Sequence, residues 1–126
     1  MEEITFADFQ KVDFGPYKKE PIKHFLRLLP EEYWIINHPT SEDEVRRYKY
    51  ISSEELCVMD IALYEISLLF GGCSLKFSNG VSLSGLITAP MDIKLLYFGS
   101  LPSEFILEIW EAMGEIPNWG PATSGE

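Results

Sequence analysis

Residues 51–72, ISSEELCVMDIALYEISLLFGG, hold the reading that decides the fold. Ser52 with Glu55 three positions later has the form of a capping box, and Ile51 before the cap can staple onto Leu56. Gly71 supplies a stop, because a left-handed residue past the last turn costs least as glycine. Between these signals only Asp60, Glu65 and Ser67 interrupt the apolar run. The stretch therefore predicts one helix covered on most sides, a hub around which other elements wrap, with Asp60 and Glu65 marking its thin exposed strip.

Working outward toward the N-terminus, Thr40 is followed by Ser41 and Glu44, a second capping box, and by Glu42/Arg46 and Asp43/Arg47 at helical i,i+4 spacing. A surface helix over residues 40–49 is expected. Residues 33–36, Tyr-Trp-Ile-Ile, favour a strand, but Leu29-Pro30-Glu31-Glu32-Tyr33 has the punctuation of a helix start like that of Leu101-Pro102-Ser103-Glu104-Phe105, so helix stands as the alternative for residues 33–37. Residues 21–29 place Ile22, Phe25, Leu26 and Leu29 on one face behind a proline, which predicts a short amphipathic helix. Thr5 and Asp8 can cap another short helix ending near Val12.

Toward the C-terminus the apolar period changes from 3.6 to 2 after Gly72, which marks a sheet. A two-residue loop at Asn79-Gly80 would set apolar side chains opposite serines. A three-residue loop with Gly80 left-handed instead pairs Phe77 with Val81 and Leu75 with Leu83, so that register is predicted. A third strand is expected over residues 92–98, then a helix over 102–113 stopped by Gly114, and a Gly/Pro-rich tail over 115–126 that contains Trp119. The fold class that follows is α+β: a three-stranded antiparallel β-meander, placed at residues 73–98, packed against a buried central helix and a C-terminal amphipathic helix, with short N-terminal helices. The 126 residues read as a single domain.

Composition narrows function by exclusion. No basic-then-apolar leader and no run of 18 or more apolar residues is present, so neither signal peptide nor membrane span is expected, and the cytoplasm is the default compartment. Cys57 and Cys73 fall at opposite ends of the expected hub helix, too far apart for a bridge, and both read as reduced, buried thiols. His24 and His38 lack any metal-ligand neighbourhood, and no thiol sits in an activating one, so neither metal, cofactor nor catalytic residue is assigned and no enzyme is expected.

The charge of −10 is unevenly placed: residues 1–50 carry −2, and residues 51–126 carry −8 with only Lys76 and Lys94 as bases. That second half is ill suited to nucleic acid or anionic membranes and well suited to a basic protein. Its most specific feature is a ridge on the C-terminal helix, where Glu104, Glu108, Glu111 and Glu115 fall within a sector roughly 60° wide at 100° per residue. Neighbouring glutamates there repel by about a few tenths of a kcal/mol per pair. The expected function is an acidic, non-enzymatic protein-binding module that inhibits or escorts a basic, nucleic-acid-handling partner in the manner of immunity proteins or phage inhibitors. Glu104, Glu108, Glu111, Glu115 and Trp119 are its expected contacts, with folding of Trp119 back onto the core as the competing reading of that residue. Two alternatives stand beside it: a homo-oligomeric structural or assembly subunit, with a homodimer through a sheet face as its simplest form, and a small enzyme of unrecognised type.

Overall fold

Tyr33-Trp34-Ile35-Ile36 is the centre of the sheet, as its β-branched and aromatic content requires. The computed structural model describes residues 3, 5–11, 13–53 and 55–121. In it β2 (Tyr33–Ile36) pairs antiparallel with β1 (Ile22–Phe25) on one side and with β3 (Phe70–Cys73) on the other. Trp34 and Ile36 alternate inward and are fully buried, as the two-residue strand period demands. The remaining elements are α1 (Phe6–Gln10), α2 (Ser41–Ser53), α3 (Val58–Leu69), α4 (Met91–Gly99) and α5 (Ser103–Ala112).

The α+β class and the three-stranded antiparallel sheet against a central and a C-terminal helix hold; the residues that build the sheet differ from those expected. Residues 21–29 form a strand and turn, not a helix. The i,i+3,i+4,i+7 spacing of Ile22, Phe25, Leu26 and Leu29 is overridden by pairing with β2, and Pro21 before the first strand residue is compatible with an edge. Residues 92–98 form α4 instead of a third strand: Pro90 is its N-cap and Asp92 lies in its first turn, a helix start that the apolar run obscured. The expected hairpin survives only at its tip. Phe77 N–H donates to Val81 O at 2.8 Å, Lys76 bridges Ser82, and Gly80 has φ +86, but Leu83–Thr88 then coils into a 3-10 helix.

The hub helix is shorter than read. Residues 51–53 end α2, and α3 begins only at Val58, with Cys57 extended as its N-cap. The capping box is Cys57 with Asp60, whose carboxylate accepts from Cys57 N–H at 3.0 Å; Ser52 and Glu55 do not form one. The break has a packing reason. One continuous rod would carry α2 away from α3, whereas the turn folds α2 back so that Tyr50 stacks on Tyr64 at 3.9 Å between ring centres. Cys57 is consequently exposed rather than buried, and both cysteines are free thiols.

Gly71 and Gly72 do not stop a helix either; they sit in β3, directly after Leu69. Ile35 pairs with Gly72 and Ile36 with Phe70, which leaves Gly71 as the extra residue of a bulge. Gly72 has φ +132 and so calls for glycine, whereas a Cβ on Gly71 would meet only the end of the exposed Asn37 side chain, which can move aside. In α2 the capping box is Thr40 with Asp43, one residue earlier than the expected Ser41 with Glu44: Asp43 accepts from Thr40 N–H at 2.9 Å and Thr40 Oγ1 from Asp43 N–H at 3.2 Å. Glu42 pairs with Arg46 as read. Asp43, occupied with the cap, does not pair with Arg47. At the N-terminus Thr5 and Asp8 cap α1 as expected, and the end proposed near Val12 lies outside the described residues.

The core gathers where the sheet meets α3, α4 and α5. Trp34 is its centre, with Phe70, Phe98 and Phe105 at 5.1–5.2 Å between ring centres in edge-on and tilted arrangements. Such pairs each contribute about 0.5–1.5 kcal/mol beyond area burial. Leu69, Ile66 and Ala62 from α3 and Ile106, Ile109 and Met113 from α5 complete it.

Candidate partner-binding groove

α5 buries Ile106, Ile109 and Met113 and turns Glu104, Leu107 and Glu111 to solvent, an amphipathic division set by its 3.6-residue period. Facing it is the turn between β1 and β2, closed by Leu26 N–H to Glu32 O at 2.9 Å and Glu32 N–H to Leu29 O at 2.8 Å. Between turn and helix lies an open groove of about 540 Å³ lined by Leu26, Leu28, Leu29, Phe105 and Leu107, with Glu104, Glu108, Glu111 and Arg27 around it. Leu28 is 87% exposed, and Leu29 and Leu107 are also exposed, an uncovered apolar cluster on an otherwise acidic molecule.

The acidic ridge divides at this groove. Glu108 is buried, and three donors hold it: His24 Nε2 donates to Oε2 at 2.6 Å, Arg27 N–H donates to the same oxygen at 2.9 Å, and Arg27 Nε lies 3.7 Å from Oε1. Burial pushes this carboxyl up, but the hydrogen bonds from His24 and the Arg27 amide, together with their charges, hold it below the usual carboxylate range. Arg27 Nη2 also donates to Glu111 at 2.9 Å. Glu104 and Glu115 form no ion pair among the described residues. The glutamate repulsion expected from α5 alone is thus relieved by a base that lies 81 to 84 positions earlier in the chain.

Trp119 is not at the groove. Residues 116–120 fold back, burying Trp119 beneath the Arg47 guanidinium, which lies 5.1 Å from its ring centre. The same arginine donates through Nε to Glu65 Oε2 at 2.5 Å, while Trp110 Nε1 and Gly120 N–H donate to Oε1 at 2.7 and 2.9 Å. Glu65 is therefore fully buried, a correction to the exposed strip expected of it. Its reason is that a carboxylate with three convergent donors, one of them a cation, is satisfied without water. Asp60, by contrast, is only half-buried at the α3 start.

Of the five residues singled out from the sequence, Glu104, Glu108 and Glu111 meet at the groove, Glu115 lies one turn beyond, and Trp119 belongs to the core. The groove's apolar lining was missed because Leu26-Arg27-Leu28-Leu29 read as a helix face instead of a turn. Among the described residues no group of three or more His, Cys, Asp or Glu is placed to hold a metal ion, and no helix is long and apolar enough to cross a membrane. No protein family, characterised protein or solved structure matches the chain.

Proposed function

We propose that this protein is an acidic, non-enzymatic binding module that takes a basic amphipathic segment of a partner protein into the groove between the β1–β2 turn and α5, and so inhibits or escorts that partner. The observation that supports this most is an exposed leucine cluster beside the carboxylate of Glu104, which has no ion pair among the described residues, and the exposed Glu111, which is shared with Arg27. Leucines of the turn and of α5 would receive apolar anchors, and the rim carboxylates would select positive charge and speed encounter. Glu108 is a positioning residue in this scheme, since its carboxylate is already engaged by His24 and Arg27.

The test uses a Leu/Lys amphipathic helical peptide as probe and a Leu/Glu peptide of the same pattern as control, followed by fluorescence anisotropy at low and high salt. Binding of the basic peptide alone, weakened by salt, is expected. Glu104→Lys should weaken it several-fold. Leu107→Ser, which removes no charge, should weaken it by about tenfold if one buried leucine contact is lost. Equal binding of both peptides, or affinity indifferent to Leu107→Ser, would remove the groove from the mechanism.

A further inference from the structure

α4 buries Phe98 in the core, yet its other faces are unusual for a helix on a free surface. Its single lysine, Lys94, points inward, is 9% exposed and makes no ion pair among the described residues, while Ile93 and Leu96 point outward at 46% and 74% exposure. Burial lowers the Lys94 ammonium below its ordinary range, which shows the cost of facing it inward. At 100° per residue Asp92, Ile93, Leu96, Gly99 and Ser100 occupy one sector about 120° wide, and all five are exposed. The hairpin tip extends this surface: Phe77 packs edge-on against Tyr97, and both Phe77 and Val81 remain exposed.

We propose that a second copy of this chain covers this face, through a two-fold antiparallel pairing of α4 with α4. Charge points to self-association. Residues 76–101 contain only Lys76, Asp92 and Lys94 as charged side chains; Lys94 is buried, and the exposed Lys76 and Asp92 cancel, on a molecule of net −10. Two such molecules repel one another over most of their surfaces and least over this one. A basic partner, by the same reasoning, finds nothing here to select it. The helix is also self-complementary. A two-fold axis at Leu96 sets Leu96 against its own copy, Ile93 opposite Gly99 and Asp92 opposite Ser100. A Cβ on Gly99 would meet nothing within 4 Å, so its position is a hollow into which the opposing Ile93 can pack. The two aspartates lie at opposite ends of the pair, away from one another.

A face built on five exposed residues at α4 and the hairpin tip is small beside the roughly 20–30 residues a side of standard stable interfaces, so a dissociation constant on the order of 10–100 μM is expected. This proposal does not rest on the groove, and salt separates the two: groove binding should weaken with salt, whereas pairing of like-charged copies should strengthen. Sedimentation velocity over a concentration series, at low and high salt, is the test. A monomer–dimer equilibrium that tightens with salt is expected. Leu96→Asp, at an exposed position that leaves the monomer fold intact by circular dichroism, should weaken it at least about thirtyfold. Ser100→Lys, which gains the opposing Asp92, should tighten it a few-fold, and Ser100→Glu should weaken it by a similar factor. A monomer at every concentration and salt overturns the proposal. So does a dimer indifferent to Leu96→Asp, or one in which both Ser100 variants act alike.

Discussion

Replacing Glu65 by glutamine isolates what one buried charge contributes to this fold. Glutamine keeps the volume, and its carbonyl oxygen can occupy the position of Oε1, still accepting from Trp110 Nε1 and Gly120 N–H. Its amide nitrogen then stands where Oε2 was, facing the Arg47 Nε–H that had donated at 2.5 Å. Donor meets donor. The loss is one charge-assisted hydrogen bond, worth about 1.5–3 kcal/mol, together with an arginine deprived of its counter-ion. Breaking a fully buried pair costs about 3–5 kcal/mol. The Arg47 side chain is 22% exposed, however, and recovers some hydration, so Glu65→Gln is placed at the lower end, about 2–3 kcal/mol. For a chain of this length that is a fall in Tm of roughly 8–15 °C. Urea unfolding followed by tryptophan fluorescence measures it directly. Arg47→Met and the double variant complete a cycle whose coupling should exceed about 1 kcal/mol. A Glu65→Gln loss under about 0.5 kcal/mol, or a coupling near zero, would refute the reasoning and make the contact incidental.

Two further substitutions address buried polar groups. Glu108 has a carboxyl held below its ordinary value of 4.5, so its contribution is complete above the unfolded value and is lost as pH falls through the folded one. The stability gap between wild type and Glu108→Gln should therefore be open at pH 6, at about 1–2 kcal/mol, and close toward pH 3; a gap unchanged between the two in urea titrations would contradict the pairing with His24 and Arg27. Ser67 Oγ is fully buried without a hydrogen-bond partner among the described residues. Ser67→Ala should accordingly raise stability by about 1 kcal/mol, and a loss on calorimetry would mean that the hydroxyl is satisfied.

What was legible in the sequence follows from how local its causes are. Residues 103–112 carry their start, period and stop within themselves, and the helix forms as read, ending within a residue or two. Residues 33–36 and 41–49 also take the expected type, since β-branched density and paired capping groups act at short range, although the cap is Thr40 with Asp43 and the helix runs on through residues read as the start of the hub. Residues 22–25 and 92–98 fail for opposite reasons. The first has a helical apolar spacing that a partner strand overrules, and the second has an apolar run whose two-faced burial reads as a central strand until Pro90 is recognised as a cap. Both signals are ambiguous at lengths under about ten residues, where strand and buried helix share the same composition. The groove was only half visible. Glu104, Glu108 and Glu111 were apparent from their angular spacing, but Leu28 and Leu29 acquire their exposure only when the chain reverses at residues 28–31.

The position of the buried acids changes what the charge asymmetry means. Glu65 and Glu108 come from the strongly acidic half of the chain, and their partners Arg47, Arg27 and His24 all come from the nearly balanced half. Read along the sequence, the second half is short of bases; read in space, the first half supplies them at two places. The Glu108 pairing ties the β1–β2 side to a helix more than eighty positions later, and the Glu65 pairing ties α2 to α3, the next helix, so the asymmetry is in part a folding device, penalising any arrangement that leaves those carboxylates buried and unpaired. The acidity available to a partner is correspondingly smaller than the net charge suggests. On α5 it reduces to Glu104 and Glu115, with Glu111 shared with Arg27. A partner that binds at the groove must then gain much of its affinity from the leucines and use the carboxylates to choose orientation and sign. For this reason a charge-neutral change at Leu107 tests the site more sharply than reversal of the glutamates, one of which, Glu108, the fold itself requires.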